Sequence, residues 1–184
     1  MEKKECLLKL GTVNSCYAMG ILSSYILSTA DNSTLPSEIP FENLQYPEKR
    51  ITFDVSLVKN YLAIEQNRIQ LVSEFTKSLV RTLIHNSYEL VFEYATETNQ
   101  KQKLFGSELI TFTRLLRNNV GHNHKFRFRN EKDIQRLKNR PVKWKDKIIT
   151  LGMEGKKIPL DLIDPASVTD LFLDIIDFVQ NKLT

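Results

Sequence analysis

From residue 48 to residue 105 the chain contains neither glycine nor proline, and this run limits the possible folds more than any other feature. The two strongest breakers of regular backbone are missing. Apolar residues recur at helical spacing through Leu57, Tyr61, Ile64, Leu71, Val72, Phe75, Leu79, Leu83, Tyr88, Val91 and Ala95. Asp54 stands where an N-cap is needed. The phase predicts a central helix over 55–97, either continuous or split into two nearly collinear pieces. A helix of about 40 residues is about 60 Å long, whereas a domain of this size is about 40 Å wide. Such an element must bend, break or project toward a partner.

The flanking segments read as further helices. Residues 5–30 place Leu7, Leu10, Cys16, Met19, Ile21, Leu22, Tyr25 and Ile26 at roughly helical spacing. Lysines precede this stretch, but Glu2 and Glu5 interleave with them, and Asn14, Ser15, Ser23, Ser24 and Ser28 interrupt the apolar run. It is too polar for a membrane span and a poor secretory signal, so we expect the first core helix and no membrane association. Pro36, Pro40 and Pro47 then mark a loop over 31–50. Phe105, Leu109, Phe112, Leu116 and Val120 form one apolar stripe, with Gly106 tolerated near its start and Gly121 placed as a C′ glycine.

Lys147 to Thr150 alternates like a strand, Gly152-Met153-Glu154-Gly155 offers a turn, and Lys156 to Leu160 returns, which predicts a β-hairpin over 147–160. The last helix carries Val168, Leu171, Phe172, Ile175, Ile176, Phe178 and Val179 on a broad apolar face, with Asp170, Asp174, Asp177, Gln180 and Asn181 on its polar side. With 184 residues the expectation is a single all-α domain over 1–184 with a small β-hairpin before the C-terminal helix. Cys6 and Cys16 are the only cysteines and form no C-x-x-C. Neither a disulfide framework nor a zinc site is indicated, so the expected location is the cytoplasm.

Charge is distributed unevenly. The segment 122–147 holds ten Lys and Arg against three Asp and Glu, a net +7, while the rest of the chain carries −3. A basic band on a mildly acidic body is an electrostatic footprint for a polyanion; a solvated charged face is the plainer alternative. Within the band, Lys125-Phe126-Arg127-Phe128-Arg129 alternates cations with aromatics. Such a tract can track phosphates and stack unpaired bases. It also suits a short extended segment with both phenylalanines in the core, which is the reading we favour for the aromatics. Trp144, flanked by Lys143 and Lys145, is a further stacking candidate, with packing the favoured reading.

Immediately before the band stands Arg117-Asn118-Asn119-Val120-Gly121-His122. RNA supplies its own nucleophile, the 2′-hydroxyl. Cleavage then needs a base near it, an acid near the leaving 5′-oxygen, and positive charge on the crowded phosphorus. Histidine serves the first two roles because its ordinary pKa lies near neutrality. Arginine serves the third, since guanidinium stays charged and binds phosphate oxygens bidentately. An amide such as Asn118 positions the phosphate or the imidazole. Five residues along a regular helix turn by about 140°, so Arg117 and His122 meet only if the chain leaves the helix, which Gly121 permits. A helix-terminal cation beside an exposed loop histidine is the competing reading.

The segment from Phe112 through Arg114 and Arg117 to Asn123 resembles the signature of the HEPN superfamily, whose members share an arginine, a polar residue directly after it, and a histidine separated from the arginine by four to six residues. Arg117, Asn118 and His122 match those positions. Pro141-Val142-Lys143-Trp144, the Ile148-Ile149-Thr150 strand, the glycine turn and the last amphipathic helix resemble a C-terminal pattern of members linked to phage defence. The resemblance implies a four- or five-helix, mostly antiparallel bundle that dimerises. It also implies a metal-independent ribonuclease acting as a toxin or antiviral effector, with RNA as substrate and an antitoxin or regulatory protein as partner. On this reading the catalytic residues are Arg117, His122 and Asn118; Lys125, Arg127, Arg129, His124 and Arg114 bind RNA; and neither metal nor cofactor takes part.

His124 also fits the permitted spacing, so His122 and His124 both stand as the working histidine, with His122 preferred. An HNH metal nuclease is disfavoured because no matching set of acids or histidines accompanies His122-Asn123-His124. His85, inside the central helix, reads as a packed or surface residue. The competing functions are a non-catalytic helical module for dimerisation or for protein or nucleotide binding, and a DNA- or membrane-associated scaffold using the basic band.

Overall fold

Breaker-free sequence becomes helix wherever a cap can start it and packing can hold it. The computed structural model describes residues 1–29, 31, 34–42, 50–121 and 124–184, with backbone alone for 39–42, 50, 51 and 53. In chain order the elements are α1 (Lys3–Thr29), β1 (Glu38–Glu42), β2 (Arg50–Asp54), α2 (Ser56–Leu62), α3 (Glu65–Glu97), α4 (Lys101–Gly106), α5 (Glu108–Val120), α6 (Glu131–Asn139), β3 (Val142–Trp144), β4 (Lys147–Ile149), α7 (Leu160–Ile163) and α8 (Pro165–Lys182). The chain is predominantly helical, with a small antiparallel hairpin before the last helix. No helix of the described residues is long and apolar enough to cross a membrane.

Two compact units emerge, one of residues 1–19 and 77–184, the other of residues 20–76. In the second unit, β1 pairs with β2 in register from Glu38 opposite Asp54 to Glu42 opposite Arg50. Part of the expected 31–50 loop is therefore strand. Pro40 is tolerated because both strands of a two-stranded sheet are edges. Asp54 accepts the Ser56 amide at 2.8 Å just ahead of α2, but the N-cap position itself is taken by Val55 and not by the expected Asp54. The central helix is split: α2 ends at Leu62 and α3 resumes at Glu65 as 33 continuous residues. No breaker marks this point in the sequence. The Arg68 Nε–H donates to the Leu62 carbonyl at 3.1 Å, satisfying an acceptor that the break exposes.

The first unit holds the main core. Cys6 and Leu10 of α1, Leu83, Ile84, Val91 and Ala95 of α3, Phe112 and Leu116 of α5, and Phe172 and Val179 of α8 are all buried. Each large apolar side chain withdrawn from water contributes roughly 1.5–3 kcal/mol before entropy is counted. α8 starts on Asp164, whose carboxylate accepts the Ala166 and Ser167 amides at 3.0 Å, and Pro165 fills the first helical position. Trp144 is buried against Phe112, ring centroids 5.6 Å apart, and its indole N–H donates to Asp174 at 2.7 Å. It is packing.

The expected hairpin over 147–160 is corrected. The strand at Lys147–Ile149 exists, but its partner lies upstream at Val142–Trp144, joined through Lys145, which takes a positive φ of 51°. Burial explains the choice, since Val142, Trp144 and Ile149 all turn inward. The residues after the glycine turn pair instead with the basic tract: the Phe126 amide donates to Lys156, the Gly155 amide to Phe126, and Ile158 to the His124 carbonyl. The stripe from Phe105 to Val120 is also not one helix. Ser107 adopts an extended conformation and accepts the Ile110 amide, so Phe105 belongs to α4 and is 49% exposed. Gly121 does end α5, though with φ −72°; among the described residues that follow it, His124 is left-handed, at φ 51°.

Candidate active site

α5 buries Phe112, Leu115, Leu116, Asn119 and Val120 along one side, and Ile110, Thr111 and Thr113 are buried around its first turns. Residues three and four apart share a helix face, so Arg114, Arg117 and Asn118 fall together along the flank of the buried stripe, each half-buried. His85, Tyr88, Glu89 and Phe92 form the corresponding row on α3. The two rows meet at Arg117.

Its guanidinium is held on every nitrogen. Nε–H donates to His85 Nδ1 at 3.3 Å, Nη1 donates to Asn118 Oδ1 at 2.9 Å, and Nη2 donates to the Glu89 carboxylate. The plane also lies over the Tyr88 ring, 5.3 Å from its centroid. Burial pushes the Tyr88 hydroxyl up from its ordinary value against the opposing pull of Arg114 and Arg117, with Glu89 and Asp133 adding to the rise. The phenol stays neutral beneath the cation. The Arg117 side chain remains 28% exposed and that of Glu89 42%, so a phosphate can reach the guanidinium from solvent.

One turn earlier, Arg114 makes a two-pronged ion pair with Asp133 of α6, Nη1 to Oδ2 at 3.1 Å and Nη2 to Oδ1. Asp133 is buried, so Arg114 ties α5 to α6, a role the sequence reading missed. Asn119 was missed too. Its Nδ2–H₂ donates to the Leu115 carbonyl within α5, and its Oδ1 accepts the Arg127 amide, pinning the basic tract to the helix end. The available signal was a polar residue among Leu115, Leu116 and Val120 on the buried side, where an unsatisfied amide is costly.

The tract itself alternates as its sequence suggests. Phe126 and Phe128 are buried with ring centroids 5.6 Å apart, while Lys125, Arg127 and Arg129 are exposed. Arg127 and Arg129 line a cleft of about 230 Å³ together with Asn118, Asn119, Asn130 and Asp133. Asn118 thereby links Arg117 to the basic tract, with its amide N–H₂ available to donate. Lys125 lies apart from that cleft, bridged through its backbone to Lys157.

His122 and Asn123 lie outside the described residues. Both ring nitrogens of His124 are closed off from solvent. Among the described residues, His85 is the histidine that the fold brings to Arg117, and the sequence carried no sign of it because the two are 32 residues apart. Among the described residues, no group of three or more His, Cys, Asp or Glu side chains is placed to hold a metal ion. Comparison of the chain with known protein families, with curated proteins and with solved structures finds no match.

Proposed function

We propose that the chain is a metal-independent endoribonuclease of HEPN type, serving as a toxin or antiviral effector in the cytoplasm. The observation that carries this reading is the guanidinium of Arg117, fixed in orientation by three neighbours yet open to solvent, beside a cleft walled by Arg127 and Arg129. A preorganised fork of this kind suits the charge that develops on a phosphate during transesterification. In the reaction we propose, the 2′-hydroxyl attacks the adjacent phosphorus, His122 takes up or supplies the proton, Arg117 stabilises the equatorial oxygens, and the 5′-oxygen departs protonated. Asn118 holds Arg117. A homodimer brings two such motifs into one cleft, and an antitoxin or regulator restrains them.

The test is incubation of the purified protein with RNA in excess EDTA. Products ending in 2′,3′-cyclic phosphate are expected, with loss of cleavage in Arg117→Ala and His122→Ala while both stay folded. Cleavage that EDTA abolishes would overturn the metal-free mechanism.

A second reading has its own support. All three guanidinium nitrogens of Arg117 already have partners within the chain, as a residue that only orders the helix end would. The chain is then a non-catalytic helical interaction module, and absence of cleavage together with a tight protein partner would establish it.

A further inference from the structure

The cations and aromatics of the first unit do not stop at Arg117. Tyr88, beneath its guanidinium, stacks on Phe92 with centroids 6.1 Å apart and planes 15° from parallel. Phe92 lies 6.2 Å from Phe105, and the Lys101 ammonium stands 5.3 Å over the Phe92 ring. Beyond Phe105 opens a cleft of about 480 Å³, lined by Phe105, Thr111, Arg114, Lys132, Asp133 and Arg136 among others. That volume lies within the range of about 300–1,000 Å³ usual for small-molecule sites.

The charge balance of this cleft is positive. Among the described residues that line it, Asp133 is its only acid, and Arg114 already neutralises it. Lys132 and Arg136 form no ion pair among the described residues. Phe105, half exposed at the rim, is a large aromatic that the core does not use. An exposed ring next to two uncommitted cations is the arrangement that holds an unpaired nucleotide, its base stacked on the ring and its phosphate on the cations. A free aromatic-lined apolar pocket would lack the cations, and a duplex-binding face would lack the ring.

We propose that this cleft is a binding subsite for a single-stranded RNA nucleotide, lying along the strand from the phosphate at Arg117. Phe105 stacks the base, and Lys132 and Arg136 hold its phosphate. The inference rests on the ribonuclease reading for its choice of RNA, but it concerns different residues from those proposed to carry the chemistry.

Fluorescence anisotropy of a fluorescein-labelled, unstructured ten-nucleotide RNA tests it, using full-length protein carrying Arg117→Ala so that binding is measured without turnover. Phe105→Leu is expected to weaken binding by about five- to a hundredfold, the loss typical of one stacked base, and Phe105→Trp to preserve it. Lys132→Glu is expected to weaken binding and flatten its salt dependence. This change places an acid in the first turn of α6, where the helix dipole favours it, and an unchanged urea midpoint shows that the loss is one of binding.

Unchanged binding in both Phe105→Leu and Lys132→Glu overturns the subsite, as does equal affinity for a duplex of the same length. If the wild-type protein cleaves RNA while these variants bind normally, the subsite falls and the nuclease reading stands. If the variants lose binding while the wild-type protein cleaves nothing, the subsite stands and the nuclease reading falls.

Discussion

Arg117 and His85 meet across 32 residues of sequence, the Arg117 Nε–H directed at His85 Nδ1 from 3.3 Å. The imidazole is the acceptor in this contact. With Glu89 one turn further along α3 and Asn118 next in sequence, it fixes the plane of the guanidinium. A fork held in one orientation is useful to a bidentate phosphate contact and wasted on a simple surface charge.

For the proposed nuclease, Arg117→Ala should lower kcat by about a hundred- to a thousandfold, as removal of one preorganised transition-state contact does. Arg117→Lys should not rescue it, because an ammonium lacks the planar fork. His85→Ala and Glu89→Ala should reduce kcat by up to about a hundredfold through misplacement, with KM little changed. The ion pair of Arg117 with Glu89 is part-exposed and contributes only about 0–1 kcal/mol to folding, so urea midpoints should barely move. A large loss of stability in Glu89→Ala would mean that the pair serves structure instead.

Asp133 is buried and Arg114 is its partner. Asp133→Ala leaves a largely covered guanidinium without its counter-charge, and urea denaturation should show a loss of about 3 kcal/mol. Replacing both residues by apolar ones of similar size should restore much of that loss, since both desolvation costs then vanish.

Asp164 caps α8. Burial alone would raise its carboxyl pKa, but hydrogen bonds from Ser167 and Ala166, with help from Lys147, outweigh it and hold the pKa below its ordinary 3.8. Because the folded pKa is the lower one, the cap stabilises fully above the unfolded value and loses its effect as pH falls through the folded value. Asp164→Ala should therefore cost about 1 kcal/mol at neutral pH and progressively less below pH 3.8. Asp164→Asn should retain most of the stability. Thermal melts across pH 2–7 measure both.

The two free cysteines differ in access. Burial pushes the Cys6 thiol up to about 11, whereas Cys16 is exposed. Iodoacetamide at pH 8 should label Cys16 in the native protein and reach Cys6 only on unfolding, because the thiolate is the reacting form. Peptide mass spectrometry reads the outcome directly, and rapid labelling of Cys6 would place it outside the core.

Local patterns were legible wherever one element's own residues settled the matter. The apolar face of α8, the end of α5 at Val120 and the alternation of Phe126 and Phe128 with cations all follow from spacing, and burial agrees with them. The start of α5 was misread because Phe105 kept the stripe's phase, while the deciding signal was a cap, Ser107 following Gly106. The break at residues 63–64 has no composition to announce it. The hairpin was paired the wrong way because a glycine turn is visible in sequence and a turn through Lys145 at positive φ is not.

Periodicity, capping and charge are written within a few turns of chain, and they were enough to specify helices, their buried sides and a basic tract after α5. The neighbours of Arg117 and Arg114 were not. His85 and Glu89 come from α3 and Asp133 from α6, and nothing local to α5 names them. Those contacts exist because the apolar sides of separate helices pack into one core, and packing is what selects which flanks lie within hydrogen-bonding reach.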